Sequence, residues 1–221
     1  MKQASNKRKN YYQVIYGSGL FKYIEEENYD DVWDELKMNP NYYMNGQLIY
    51  QEGQKLNLCG IVYKGHVKSE KIYYEGNSHM EYIYSPGEAF AFEGCLSSKH
   101  TSPLDYVSVG DSTIITLDIN RIITSKYAIQ LFRGLSELIA NDNIRKMYRV
   151  ETLSKRGLRD RILTYLRIMA TINNSPTFTI PFSRNQLAEY LCVNRSALSN
   201  ELSIMKRENV IDFRRNTFTL L

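Results

Sequence analysis

The sequence predicts an α+β fold: an N-terminal antiparallel β-roll of jelly-roll type, a long helix, and a C-terminal helix–turn–helix with a two-stranded wing. Short β-rich runs separated by glycines fill the stretch between residues 45 and 118. Apolar residues then recur at helical spacing, and the end of the chain combines two short amphipathic helices with an alternating hairpin. These patterns divide the chain into residues 1–19, 20–118, 119–149 and 150–221.

The predicted roll is built from short runs rich in tyrosine, isoleucine and valine, which are residue types that favour strands. The runs lie at residues 47–50, 60–63, 71–74, 81–84, 107–109 and 112–117. Several short strands at close turn spacing are typical of a small antiparallel barrel or jelly roll. Ahead of them, Val32, Trp33 and Leu36 at helical spacing predict a short acidic helix packed on the roll.

A long helix is predicted from Ile119 to about Met147, because apolar residues repeat on one of its faces. They are Ile122, Ile123, Ala128, Leu131, Phe132, Leu135, Leu138 and Ile139. An apolar stripe of this length has to be shielded from water. Either the roll of the same chain or a parallel helix from a second copy can do this. We expect the second copy, and hence a homodimer. Another helix is predicted over residues 153–172, and residues 178–181 suit a short strand.

Residues 182–221 predict two helices that cross. Their apolar faces are formed by Leu187, Ala188 and Leu191 in the first helix and by Leu198, Leu202 and Met205 in the second. Only Cys192, Val193 and Asn194 separate the helices, so they cross steeply with small or apolar residues at the contact. Ser183 is expected to cap the first helix, with Gln186 completing a capping box.

The second of these helices turns hydrogen-bonding side chains outward, of the kinds that meet base edges in a major groove. They are Asn194, Arg195, Ser196, Ser199 and Asn200. Lys206 follows on the same helix, and Arg214 and Arg215 lie at the tip of the predicted hairpin, where they suit phosphates. These features favour a DNA-binding module. The alternative is an ordinary pair of core helices.

Charge is distributed unevenly along the chain. Residues 1–120 carry 11 Lys and Arg against 16 Asp and Glu, a balance of −5; residues 121–221 carry 17 against 8, a balance of +9; together they give the net +4. A basic C-terminal part suits a polyanion, and an acidic N-terminal part argues against DNA that wraps the whole molecule. The cluster of Lys7, Arg8 and Lys9 is expected to lie in a solvated, basic N-terminal tail.

Composition excludes several protein classes. No apolar run approaches the roughly 18–20 residues that span a bilayer, and no apolar segment follows the basic N-terminus as it does in a secretion signal. Cys59, Cys95 and Cys192 are scattered and form no CxxC pair. We therefore expect reduced thiols, a cytoplasmic location, no membrane association, no metal site and no cofactor.

The order of a β-roll, a long helix and a winged helix–turn–helix resembles the Crp–Fnr family of bacterial transcription regulators, over roughly residues 20–221. The most specific segment is SRNQLAEYLCVNRSALSNELSIMKRENVI, while MNGQLIYQEG, GIVYKGHVK and SPGEAFAF look like the glycine-anchored strands of the cyclic-nucleotide-binding roll. The resemblance implies that residues 20–118 sense an effector, residues 119–149 dimerise and residues 150–221 bind palindromic double-stranded DNA. It also implies RNA polymerase as a partner.

Residue by residue, the resemblance places Arg195 where the family carries its base-reading arginine. Ser196 stands where many members carry glutamate, and Asn200 stands where many carry a second arginine. Because arginine suits guanine and asparagine suits adenine, we expect a half-site that differs from the best-known ones. Two positions at which the family holds phosphate are matched by Ser183 and Arg184. Cys192 takes a turn position where glycine is usual, because a positive φ is easiest there.

The effector is less defined by the sequence. Nucleotide-binding members use an arginine to neutralise the cyclic phosphate, whereas no arginine lies between Lys71 and Arg121 here. Burying a phosphate without a paired cation costs on the order of several kcal/mol. We therefore expect a small-molecule effector other than cyclic AMP, with Phe92 and Glu93 as candidate contacts. The alternatives are an organic ligand in a tyrosine-lined pocket and haem bound by His66, His79 or His100.

Two rival functions follow from the same residues. The first alternative is a ligand-binding module that signals through protein contacts, in which the helix pair serves only for packing. A cupin-like metalloenzyme would need closely spaced ligands such as HxH followed by glutamate, and no two histidines lie near each other in the sequence. No serine–histidine–aspartate or glycine-rich phosphate-loop signature is present either, so we expect a protein without enzymatic activity.

Overall fold

The computed structural model describes residues 2–72 and 78–221, with side chains from residue 8 in the first range and from residue 79 in the second. The chain forms two compact units, Met1–Asn141 and Asp142–Leu221. Their boundary falls inside a long helix rather than at a loop. Across the described ranges, every helix is too short or too polar to cross a membrane.

Helix α1, Lys2–Ile15, occupies the segment that was predicted as a solvated tail over residues 1–19. That prediction is wrong where side chains are described, because Ile15 is fully buried. The Tyr11 ring stacks against the Trp33 ring, with the two centroids 5.8 Å apart. The tail becomes a helix because its aromatic residues, which follow the basic cluster, pack on an apolar surface formed by residues further along the chain.

The basic cluster at the N-terminus is also partly engaged. Arg8 pairs with Asp34 at 2.8 Å and lies over the Trp33 ring, 5.7 Å from its centroid. The Lys7 side chain lies outside the described residues. The predicted short acidic helix is confirmed as α2, Tyr29–Glu35, and it is preceded by two 3₁₀ turns, Gly19–Phe21 and Glu26–Asn28.

The predicted β-roll is confirmed as an antiparallel sheet. Its strands are β1 Asn39–Tyr43, β2 Leu48–Tyr50, β3 Cys59–Ile72, β4 Ser78–Tyr84, β5 Ala89–Phe90 and β6 Asp105–Leu117. The sheet runs in the order β1-β6-β3-β4, while β2 pairs with β6 and β5 pairs with β3. Interior side chains such as Ile61, Phe90, Tyr106, Ile114 and Ile115 are fully buried and form the core of the roll.

Two strands are longer than the sequence runs predicted. Residues 60–63 and the described part of 71–74 belong to the single strand β3, and 107–109 and 112–117 belong to β6. Gly65 and Gly110 lie inside these strands with φ of +78° and +70°. These glycines bend the strands and shift the pairing of β3 with β6 instead of ending them. Residues 73–77 lie outside the described ranges.

The long helix begins later than predicted. Residues 119–124 form a 3₁₀ turn, and helix α4 is Ala128–Leu153. Asp118 caps the turn by accepting a hydrogen bond from the Asn120 amide, and Ser125 leaves helical geometry with ψ of 144°. The prediction of one helix from Ile119 is therefore wrong at its start, because local capping chemistry outweighs an apolar period that continues across the break.

The helix that follows also begins later than residue 153, because α4 runs to that residue. Helix α5 is Leu158–Asn173, with Gly157 at its N-cap in extended geometry (ψ 144°). The short helix α3, Phe92–Leu96, follows β5 directly, and Ala91 between them has φ of +63°. The second unit is completed by β7 Thr177–Thr179, α6 Arg184–Tyr190, α7 Arg195–Arg207, β8 Ile211–Arg214 and β9 Thr217–Leu220.

Helix α4 presents one face to the first unit. Leu131 and Leu135 are 0% and 4% exposed there. A Cβ on Gly134 would lie 2.2 Å from the Leu20 carbonyl oxygen, so only glycine permits the 3₁₀ turn around Leu20 to lie this close to the helix. The opposite face keeps large apolar side chains in solvent, among them Ile129, Phe132, Ile139, Met147 and Val150.

Gly134→Ala tests this close approach. Alanine favours a helix by about 1 kcal/mol over glycine, but the clash with a backbone oxygen acts in the other direction with an overpacking penalty of about 1–3 kcal/mol. Because the contact of 2.2 Å is with backbone, we place the penalty in the upper part of that range, about 2–3 kcal/mol, and expect urea unfolding to show a net loss of stability of about 1–2 kcal/mol. Gln130→Ala, exposed on the same helix, is the matched control and should unfold as the unaltered protein does. Equal or greater stability of Gly134→Ala would contradict the packing described here.

Candidate nucleic-acid interface

The start of α6 is fixed by its cap. The Ser183 hydroxyl accepts a hydrogen bond from the Gln186 amide (3.3 Å), and the Gln186 side chain accepts one from the Ser183 amide (2.7 Å). The predicted capping box is therefore confirmed. Leu187 and Ala188 on the inner face are 1% and 3% exposed, which places α6 firmly on the rest of the unit.

The turn between the two helices passes through Cys192, whose φ is +55°. This is the left-handed geometry that favours glycine, and a side chain there is strained. The turn is closed by two backbone hydrogen bonds, from the Cys192 amide to the Glu189 carbonyl (3.1 Å) and from the Val193 amide to the Ala188 carbonyl (3.0 Å). The connection is thus as tight as its length predicts.

Helix α7 separates cleanly into two faces. Leu198, Leu202 and Met205 on the inner face are fully buried. On the outer face Ser196 and Asn200 are exposed and Ser199 is half-buried, while Asn194 and Arg195 are exposed at the start of the helix. Asn194 is the N-cap residue but its side chain makes no capping hydrogen bond, so the side-chain amide is not used by the helix. The structure brings all five predicted base-contacting residues onto one outward surface.

One residue of this outer face was missed by the sequence analysis. Ser203 is exposed and lies one turn beyond Ser199 and Asn200. Its hydroxyl donates to the Ser199 carbonyl at 2.8 Å, which leaves its lone pairs directed outward. The signal that could have found it is the spacing of Ser196, Asn200 and Ser203 on one helical face.

The predicted wing is confirmed as the hairpin of β8 and β9, to which β7 adds a third strand in the order β7-β9-β8. Arg214 and Arg215 are exposed at its tip, and Arg215 has φ of +55° in the turn. The Asn216 side chain donates to the Ile180 carbonyl at 3.0 Å, and the Ile180 amide donates to the Asn216 carbonyl at 2.9 Å. These bonds hold the tip next to the start of α6.

Arg184 lies against the wing rather than in open solvent. Its Nη2 donates to the Arg215 carbonyl at 3.1 Å, and its guanidinium carbon lies 5.0 Å from the Phe213 ring centroid and 5.5 Å from that of Phe218. Burial lowers the pKa of the Arg184 guanidinium below its ordinary value. Arg184 also lines a cavity of about 450 Å³ between the start of α6 and the wing tip.

Lys206, the other predicted phosphate contact on the helices, is similarly engaged. Its ammonium pairs with the Asp212 carboxylate at 2.5 Å and donates to the Phe213 carbonyl at 3.2 Å. The hydrogen bond from Lys206 lowers the pKa of Asp212 below its ordinary value. The predicted direct contacts of Arg184 and Lys206 with phosphate stay predictions, while the structure shows which groups of the wing both side chains hold.

Helix α7 is also tied to α5 by charge. Arg159 of α5 pairs with Glu208 at the end of α7 and lies 3.8 Å from Glu201. The hydrogen bond from Arg159 lowers the pKa of the Glu208 carboxyl. Arg161 of α5 donates to the Leu191 carbonyl at 3.3 Å, next to the turn between the reader helices α6 and α7. These contacts fix both ends of α7 relative to α5.

The candidate effector contacts lie inside the roll. Phe92 is 3% exposed, and one carboxylate oxygen of Glu93 is buried. Burial, together with the smaller effect of the Glu93 charge, raises the pKa of the neighbouring Cys95 thiol to about 12. His100, a candidate haem ligand, has its Nδ1 2.8 Å from the Cys95 carbonyl oxygen. Across residues 2–72 and 78–221, no three His, Cys, Asp or Glu side chains are grouped so as to hold a metal ion.

Comparison with known proteins relates both units to one kind of protein. A family profile described as a Crp-like helix-turn-helix domain matches residues 160–221, and one described as a cyclic nucleotide-binding domain matches residues 40–123. The transcriptional regulatory protein btr of Bordetella pertussis (strain Tohama I) is 22% identical over 194 residues, which make up 85% of this chain and 79% of that protein.

Solved structures show the same fold. FixK2 from Bradyrhizobium japonicum superposes with a TM-score of 0.66 at 19% identity, over 83% of this chain and 92% of that one. The catabolite activator protein of Thermus thermophilus superposes with a TM-score of 0.54 at 20% identity, over 92% and 94% of the two chains. The order of roll, long helix and winged reader is therefore shared with these proteins.

Proposed function

We propose that this chain, which is a transcription regulator of the Crp–Fnr type, works as a homodimer on a palindromic double-stranded DNA site. The observation that carries the proposal is the division of α7 into a buried apolar face and an exposed polar face. A helix whose outward side chains are hydrogen-bond donors and acceptors fits a major groove. The basic wing beside it supplies cations for the DNA backbone.

We assign the base contacts to the outer face of α7. Arg195 stands at its start, where a guanidinium can bond guanine O6 and N7 together, and Asn200 one turn later suits adenine N6 and N7. Ser196 and Ser199 accept or donate to either base, and Asn194 adds an amide at the helix start. The group that serves the DNA backbone is Ser183, Arg184, Lys206, Arg214 and Arg215, whose side chains contact phosphates or hold the residues that do.

Arg195→Ala and Arg215→Ala separate base recognition from backbone binding. Arg195→Ala should lose about 1–3 kcal/mol of affinity, only on duplexes that carry the preferred base at one position of each half-site. Arg215→Ala should weaken cognate and random duplexes about equally and lower the salt slope by about 1 per wing. Titration of labelled duplexes at several salt concentrations measures both effects. Equal losses on cognate and random duplexes for Arg195→Ala would refute its role, and a flat salt response of the unaltered protein would favour signalling through protein contacts.

We assign the dimer contact to the exposed apolar stripe of α4. Ile129 and Phe132 are 85% and 44% exposed, and Met147 and Val150 are 62% and 69% exposed further along. The four residues fall on one side of a helix of 26 residues, about 39 Å long. A parallel helix from a second copy would cover such a stripe along its length. Two copies also place two α7 helices for half-sites about 34–36 Å apart.

Phe132→Glu tests the dimer. A carboxylate at this position of the stripe would be buried in the dimer without a partner cation, so sedimentation equilibrium should shift from dimer to monomer. DNA affinity should fall together with the dimer, because one subunit reaches one half-site only. Gln130→Glu adds the same charge to the same helix at an exposed position away from the stripe and should stay dimeric. A monomer–dimer equilibrium unaffected by Phe132→Glu would place the dimer contact elsewhere.

We propose that an unidentified effector acts on the roll and that it is not cyclic AMP. Glu93 and Phe92 begin α3 directly after Ala91, whose positive φ directs this segment into the interior of the roll. Phe90 and Tyr106 fill that interior, with ring centroids 5.3 Å apart. The sequence has no arginine between residues 71 and 121, which leaves a cyclic phosphate without its usual cation.

Calorimetry with cyclic AMP tests the effector proposal directly. No saturable binding is expected in the micromolar range, because the phosphate would lose its hydration without gaining a guanidinium. Thermal unfolding with and without the nucleotide is the second measurement, since a ligand that binds the folded state raises the midpoint. Micromolar binding together with a raised midpoint would contradict the proposal, whatever the DNA-binding results.

The remaining assignments are proposals of the same kind. We place the protein in the bacterial cytoplasm, where its thiols stay reduced and its DNA target lies. Burial raises the pKa values of Cys59 and Cys95, which keeps both thiols protonated and unreactive. By likeness to the family we also propose RNA polymerase as a partner, and regulation without enzymatic activity.

A further inference from the structure

An aromatic side chain of the wing lies between cations from both reader helices. The Arg184 guanidinium carbon lies 5.0 Å from the Phe213 ring centroid, and the Lys206 ammonium lies 5.2 Å from it. Arg184 opens α6, Lys206 belongs to the last turn of α7, and Phe213 belongs to β8. The Phe213 ring therefore joins both helices to the wing, through the attraction of cations to an aromatic face.

Arg184 and Lys206 also donate hydrogen bonds to the backbone of the wing. Arg184 donates to the Arg215 carbonyl at 3.1 Å, and Lys206 donates to the Phe213 carbonyl at 3.2 Å. Lys206 also pairs with Asp212 on the same strand. Each cation thus combines a ring contact with a bond to the wing, so neither is a freely moving surface charge.

This arrangement changes what the cations can do for DNA. Part of the donor set of Arg184 and Lys206 is already used by the wing, so a phosphate could meet only the N–H groups that remain. Arg214 and Arg215, in contrast, are exposed at the tip, and their side chains make no hydrogen bond or ion pair with the described residues. What Arg184 and Lys206 hold in place is the backbone that carries these two arginines.

We propose that Phe213 is a positioning residue, which uses Arg184 and Lys206 to hold the wing so that Arg214 and Arg215 meet the DNA backbone. The inference rests on the proposed DNA-binding function and deepens it. Arg184 and Lys206 act on DNA through the wing, and the arginines of the tip carry the phosphate contacts. The sequence alone does not separate these roles, because all four residues are basic and near the reader helices.

The salt dependence of DNA binding distinguishes the two roles. Phe213→Leu removes the ring that Arg184 and Lys206 share and leaves only the Phe218 ring for Arg184. The slope of log affinity against log salt should therefore fall by about 1 for each phosphate that the tip arginines no longer reach. Phe213→Tyr keeps the ring and should restore the slope of the unaltered protein. If Arg184 and Lys206 bind phosphates themselves, removing the ring frees them and the slope stays the same or rises, which would overturn the inference.

A double-mutant cycle gives a second test that does not depend on altering Phe213. The two tip arginines are treated as one site of the cycle: if Arg184 acts through them, adding Arg184→Gln to the pair Arg214→Ala and Arg215→Ala should weaken binding no further than that pair does. Additive losses in affinity would mean that Arg184 contacts DNA independently, and the inference would be wrong. Circular dichroism of each variant shows whether the second unit, which contains the wing, folds. An unaltered protein that binds no duplex would refute the proposed function itself, and this inference with it.

Discussion

The burial of one face of α7 is the constraint on which the helix–turn–helix depends. Leu198, Leu202 and Met205 are fully buried beside the inner face of α6, and each such side chain contributes about 1.5–3 kcal/mol. An exposed hydrogen bond contributes less than this, so the core decides how the helix is rotated. Once the inner face is fixed, helical geometry directs Ser196 and Asn200 outward, whereas Arg195 is exposed because it is the first residue of the helix. The polar face is thus positioned by residues that never meet DNA.

Sequence patterns predicted the helix–turn–helix and its wing well because the sequence signals of these elements are local. The capping box at Ser183, the apolar period of both helices and the alternating hairpin each act within a few residues, and all are present in the structure. The positive φ of Cys192 agrees with what the resemblance to the Crp–Fnr family implies for this position. The exposure of Ser196 and Asn200 also follows from local signals, since a buried face predicts an opposite, exposed face.

Predictions failed where a distant contact or a competing local bond decides the outcome. The segment before residue 20 is polar and basic in sequence, yet Tyr11 packs on Trp33 and the segment becomes a helix. Before α4, Asp118 caps a separate 3₁₀ turn that ends at Ser125, a break that an apolar period does not reveal. Gly65 and Gly110 resemble strand ends but lie within strands, because a bend is tolerated where the partner strand continues. In each case the deciding atoms are distant in sequence or belong to the backbone.

Charge counting shows the same limit most clearly. The balance of +9 over residues 121–221 predicts a polyanion partner, but it does not say which cations are available. Pairing within the second unit engages Lys206 with Asp212, Arg159 with Glu208 and Lys146 with Asp142. The first two pairs join separate elements of the unit, the third lies within α4, and at each of these cations a DNA phosphate would compete with a carboxylate. The exposed cations with no such partner among the described residues include Arg195 at the start of α7 and Arg214 and Arg215 at the wing tip. An acidic residue beside a lysine therefore assigns that lysine to the fold, and the residues that remain define where a phosphate backbone can lie.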